Sequence, residues 1–194
     1  MQESENQVNF IEDIGPRLYW RYHDIYAGFE REEQIETIKI RNEHRMIGLF
    51  FCASWSDPCL VWGGIMKSLQ KELNDTSIDD KLLKCIIIPM TTKKEDEAEM
   101  KKLCYELEMP MIPFDEAPMM QHFIHKFNPD SVVPLLILVS NSGRVISSDG
   151  IKDIDEQTED ELESIKEKWL AALSVEQYEA RTPNGKEDRR RDRE

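Results

Sequence analysis

The stretch MIGLFFCASWSDPCLVW, residues 46–62, decides the fold. Its first half, residues 46–53, is a continuous apolar run of branched and aromatic residues, the pattern of a strand buried on both faces. Residues 54–58 interrupt it with polar and turn-forming residues, and residues 59–73 then read as a helix. Leu60, Ile65, Met66, Leu69 and Leu73 are expected on its inner face, with a bend at Gly63-Gly64. A buried strand passing straight into an amphipathic helix is the opening of an α/β unit.

Working outward, residues 82–89 (LLKCIIIP) are a second buried strand, and residues 94–107 are a charged helix with Met100, Leu103, Cys104 and Leu107 at helical spacing. A Pro-rich connection follows at 109–118. Residues 119–127 are expected to form a short helix that Pro129 stops. Residues 132–140 and 144–148 are expected as strands around Asn141-Ser142-Gly143, a hairpin signal. A last amphipathic helix spans 156–173, with Leu162, Ile165, Trp169, Leu170 and Leu173 inward. Upstream, Ile35, Ile38 and Ile40 suggest a short amphipathic piece, but residues 10–45 fit neither helical nor strand period and their structure stays open. The order βαβα, hairpin, helix implies an α/β domain with a central mixed sheet covered by helices on both faces.

Length and composition bound the function classes. At 194 residues the chain is one domain's worth. Residues 1–9 are expected to be flexible, 10–175 to fold, and 176–194 to be a disordered tail; residues 181–194 hold six basic and four acidic residues and no large apolar side chain. The formal net charge of -14 repels phosphate backbones, so nucleic-acid binding is disfavoured. The start lacks the basic flank and apolar stretch of a secretory signal. The apolar runs fall short of the about 20 residues of a spanning helix, so no membrane association is expected. Four cysteines without paired CxxC units suggest neither a disulfide scaffold nor zinc. A reducing compartment, the cytoplasm, is the expected location, with a weaker nuclear-import reading of Arg189-Arg190-Arg191.

Open α/β sheets place ligands and reactive groups in the loop after a buried strand. Here that loop is Ala53-Ser54-Trp55-Ser56-Asp57-Pro58-Cys59. With Leu60-Val61-Trp62 it resembles the active-site loop of thioredoxin-fold oxidoreductases, in the WCxxC form of the tryparedoxin and nucleoredoxin-like branch, altered to WSDPC. Two further segments agree: Met109-Pro110-Met111-Ile112-Pro113-Phe114, and the late hairpin from Gly143 to Gly150. The resemblance covers residues 46–154 and weakens before Arg45; residues 127–134 look longer than usual.

The resemblance implies a thioredoxin-like fold. It also implies that Ser56 occupies the place of the attacking cysteine and that Cys59 inherits the resolving role. Val133-Pro134 falls where the fold has a cis-proline, so that Trp55, Val133 and Pro134 would form a docking surface for a protein or peptide partner. A thiolate attacks a disulfide sulfur, whereas a serine hydroxyl does not replace it. Asp57 adds a carboxylate that opposes an anionic sulfur, and Leu60 supplies no compensating charge. Lost or reduced disulfide oxidoreductase activity is therefore expected, and no cofactor is implied. The alternative is an active thiol enzyme using Cys59 alone or with Cys52. A peroxidase reading of Ser56-x-x-Cys59 is weaker, because Cys52 stands where the peroxiredoxin pattern has proline.

Other candidates have plainer readings. Ser56 suits a helix N-cap with its hydroxyl. Cys85 and Cys104 look like core filler. His122 and His125, i and i+3, lack the supporting ligands of a metal site, and no metal is expected. Trp62 and Trp169 read as core aromatics, while Trp55 is held in the loop near the surface.

Overall fold

The computed structural model describes residues 7–75, 81–155 and 162–181. The chain divides into two compact units, residues 1–156 and 157–194. The first opens with one turn of π-helix, Phe10–Ile14, capped by the Asn9 side chain. A hairpin of β1 (Arg17–Asp24) and β2 (Phe29–Glu36) follows. A short helix α1 (Thr37–Glu43) leads into β3 (His44–Cys52). Next come α2 (Asp57–Asp75), β4 (Lys81–Pro89), α3 (Glu97–Leu107) and α4 (Ala117–Phe127). The unit closes with β5 (Leu135–Ser140), β6 (Val145–Ser147) and α5 (Gly150–Asp155). The second unit contains α6 (Leu162–Arg181).

Strands β4-β3-β5-β6 form a four-stranded mixed sheet. β3 and β4 are parallel, joined by the helical crossover that parallel neighbours need, and β5 runs antiparallel to both β3 and β6. The MPMIPF segment extends this sheet: Met111 bridges Ile87 of β4 on one side and Tyr19 of β1 on the other.

Because β3 is central, both of its faces are buried. Ile47, Leu49 and Phe51 join Ile86 and Ile88 of β4, Ile137 and Val139 of β5, and Met120 and Phe123 of α4 in one core. The Phe51 and Phe123 rings stack at 5.8 Å between centroids. On the alternate positions, a Cβ at Gly48 would stand 2.9 Å from Cys85 Sγ, so the strands carry their neighbours' side chains across a missing one. α2 packs on β4 and buries Cys59, Gly63, Met66, Leu69 and Leu73.

Several expectations are corrected. Leu60 and Ile65 are not on the inner face of α2; they are 43% and 39% exposed, because the buried stripe runs through Cys59, Gly63 and Met66 instead. The helix runs as one segment through Gly63-Gly64, where Gly63 lets the Leu107 side chain approach within 2.6 Å of where a Cβ would be. β5 begins at Leu135 rather than at residue 132, because residues 128–132 form a side-chain-braced turn. Residues 7–9, expected to be flexible, are held: Val8 is buried and its N–H donates to Gly143 O at 2.8 Å, an approach that only a residue without a side chain permits.

In the second unit, α6 buries Ile165, Trp169 and Leu173 of the residues expected inward, whereas Leu170 is half-buried and the side chain of Leu162 lies outside those described. It continues to Arg181, past the expected boundary at 175. Residues 1–6 and 182–194, and with them the basic run at 189–191, lie outside the described residues.

Candidate functional site

β3 delivers the chain through buried Ala53 to the C-terminal edge of the sheet. There Ser56 N–H turns back onto Ala53 O at 3.1 Å. Ser56 O then accepts from Cys59 N–H (2.9 Å) and Leu60 N–H (3.3 Å), so Ser56 opens α2 with its main chain. The expected hydroxyl cap is not formed: no residue among those described bonds Ser56 Oγ, because the carbonyl already takes the first-turn donors. Ser56 itself is only 7% exposed.

Around it the loop alternates sharply in exposure. Trp55 is 70% exposed and Val61 63%, whereas Cys59, on the first turn of α2, is fully buried. Half-buried Trp62 sits between these states rather than deep in the core.

The antiparallel pairing of β3 with β5 brings a second segment to the same edge. Phe51 is paired with Leu135, so the residues just after Phe51 and just before Leu135 lie together at the end of the ladder. The latter are Val133 and Pro134, joined by a cis peptide bond. Val132 beside them is 51% exposed. Val133 itself makes no main-chain hydrogen bond with any of the described residues.

Cys52 ends β3, opposite Pro89, and its carbonyl accepts from Met90 N–H at 2.9 Å. Cys52 and Cys59 are both free thiols. Burial, then the nearby Cys59 sulfur, push the Cys52 thiol well above the usual thiol range. Burial likewise raises Cys85 to about 12 and Cys104 to about 11. The fold therefore offers thiols in four buried places, each of them closed to solvent.

The structure thus gathers Trp55, Ser56, Asp57, Pro58, Cys59, Val133 and Pro134 at one sheet edge, with Cys52 beneath. It leaves His122 and His125 exposed on α4, and no three metal-ligating side chains converge among the described residues. Sequence reasoning missed Met90 and Asn128, which border this edge. The Asn128-Pro129 pair signalled only the end of α4. Nothing in its pattern announces that the amide folds inward.

A family model described as thioredoxin-like matches residues 43–145, more than half of the chain. The chain belongs to the thioredoxin-like family. Solved structures agree on the fold. Thioredoxin from Wuchereria bancrofti is similar at 19% identity and a TM-score of 0.51, over 85% of this chain and 99% of that one. Native tryparedoxin I from Crithidia fasciculata is 19% identical with a TM-score of 0.53, over 77% of this chain and 93% of that one. Tryparedoxin from Trypanosoma brucei is 15% identical with a TM-score of 0.51, over 64% and 81%. No curated protein sequence matches significantly. In this thioredoxin-like chain the family match runs from the end of α1 to the start of β6, so it contains both segments of the sheet edge and omits the β1–β2 hairpin.

Proposed function

We propose that this thioredoxin-like chain is a docking protein whose dithiol–disulfide exchange is lost or much reduced, and that it binds an extended segment of a protein partner. One observation carries the proposal: oxygen, at Ser56, stands where the WCxxC pattern has its attacking sulfur, and the sulfur that remains, at Cys59, is fully buried. Exchange starts with a thiolate reaching a disulfide sulfur. Neither a hydroxyl nor an enclosed thiol begins it.

Docking needs none of this. The exposed Trp55 ring supplies apolar contact, and the main-chain N–H and C=O of Val133, unpaired among the described residues, suit an extended chain laid alongside, as in strand addition. A protein or peptide partner is favoured over nucleic acid by the net charge of -14. The cytoplasm, where buried thiols stay reduced, is the proposed location.

Restoring the missing sulfur tests this. Ser56→Cys is expected to gain dithiothreitol-dependent reduction of insulin above the parent chain, and to lose the gain when Cys59→Ser is added. Equal rates in parent and variant would mean that the sulfur at this position is not what separates the chain from its reductase relatives. The competing enzyme reading, with Cys59 alone or with Cys52, requires a thiol that alkylates in the folded chain faster than a model thiol. Fully buried Cys52 and Cys59 speak against it.

A further inference from the structure

The loop that carries Val133 is gripped from inside by one side chain. Asn128 follows α4 and is only 3% exposed. Its N–H donates to Ile124 O at 2.7 Å, ending the helix, and its carbonyl accepts from Ser131 N–H at 3.0 Å. Its amide then holds both main-chain groups of a single residue: Nδ2 donates to Val132 O at 2.7 Å, and Oδ1 accepts from Val132 N–H at 2.9 Å. Nδ2 also meets Met90 Sδ at 3.8 Å, and Met90 is itself bonded to Cys52 at the end of β3. Between the two, Ser131 takes a φ of +53°, the left-handed turn that this closure demands.

A planar amide with one donor edge and one acceptor edge can mimic a paired strand. Here it pairs the N–H and the C=O of Val132 from the interior. The next residue, Val133, pairs neither of its own with any of the described residues.

We propose that Asn128 is the positioning residue of the docking surface. It fixes residues 128–132 so that Val133 presents a two-bond main-chain edge, flanked by exposed Val132. The segment this edge fits is extended and apolar, with Lys or Arg beside it. The charge follows from the two segments that form the edge: residues 53–61 and 128–134 contain exposed Asp57 and Asp130 and no Lys or Arg. The inference rests on the docking reading above and adds the residue that shapes the site and the chemistry of what enters it.

The test pans the full chain against a phage-displayed library of linear twelve-residue peptides and measures the enriched peptides by fluorescence anisotropy. The parent chain is expected to select apolar sequences carrying Lys or Arg. Asn128→Ala is expected to weaken them at least tenfold and to speed Val132 amide exchange while the β5 amides keep their protection. Asn128→Asp, which keeps the acceptor for Val132 N–H but loses the donor, is expected to fall between. Asp130→Lys leaves the brace untouched and is expected to weaken the same peptides several-fold, which keeps the charge claim open to refutation even if an Asn128 variant does not fold. A parent chain that selects nothing overturns the docking reading and this inference with it. Selection that survives unchanged in folded Asn128→Ala or Asn128→Asp overturns the role of Asn128 alone. Enrichment of acidic peptides overturns the charge complementarity.

Discussion

At the scale of single residues, the proposed docking role separates a place to bind from a sulfur to react. Trp55 lies open while Cys59 is closed, three residues into α2. Burial governs the other thiols as well, and it has a pH signature. Cys85 and Cys104 are raised to about 12 and about 11, against about 8.5 for an unfolded thiol. Folding therefore holds protons that the unfolded chain releases. The stability they contribute is fully present below pH of about 8.5 and is lost as pH rises through the folded values. The urea midpoint is expected to fall between pH 8 and pH 11, and Cys85→Ala to flatten part of that fall; a parent slope identical to that of Cys85→Ala would contradict the assignment. The loop was legible at this scale because WSDPC keeps a recognisable frame. The Asn128 grip was not, since a buried amide and a solvated turn amide look alike in a sequence.

At the scale of elements, β3 and β4 were legible because burial on both faces writes an unbroken apolar run, and α3 because one buried face writes a helical period. The β1–β2 hairpin was not. Its second strand, FEREEQIE, is almost wholly exposed, so no alternation marks it, and pairing with β1 alone makes it a strand. The hold on residues 7–9 was equally hidden, since it depends on Gly143 lying beside Val8. At Gly143, φ is +94° and a Cβ would stand 2.0 Å from Val8 O. Gly143→Ala is therefore expected to cost at least about 1–3 kcal/mol, read as a lowered urea midpoint. An unchanged midpoint would show that residues 7–9 are not held there. Phe123→Ala, which removes the ring stacked on Phe51, is expected to cost about 3–5 kcal/mol in the same assay. A loss below about 1 kcal/mol would mean that α4 does not close this face of the sheet.

At the scale of the molecule, the thioredoxin-like sheet aligns the end of β3 with the beginning of β5, the edge proposed here for docking. The two segments that form that edge carry two exposed aspartates and no Lys or Arg, within a net charge of -14. On the proposed function, fold and edge rest on sheet packing, and sulfur chemistry is the separable part. Turnover decides whether it has been separated. With the full chain at catalytic amounts, insulin and dithiothreitol, the rate of insulin precipitation is expected to equal the rate without protein, and Cys59→Ser to leave it unchanged. Sustained reduction by the parent chain that disappears in Cys59→Ser would contradict the account.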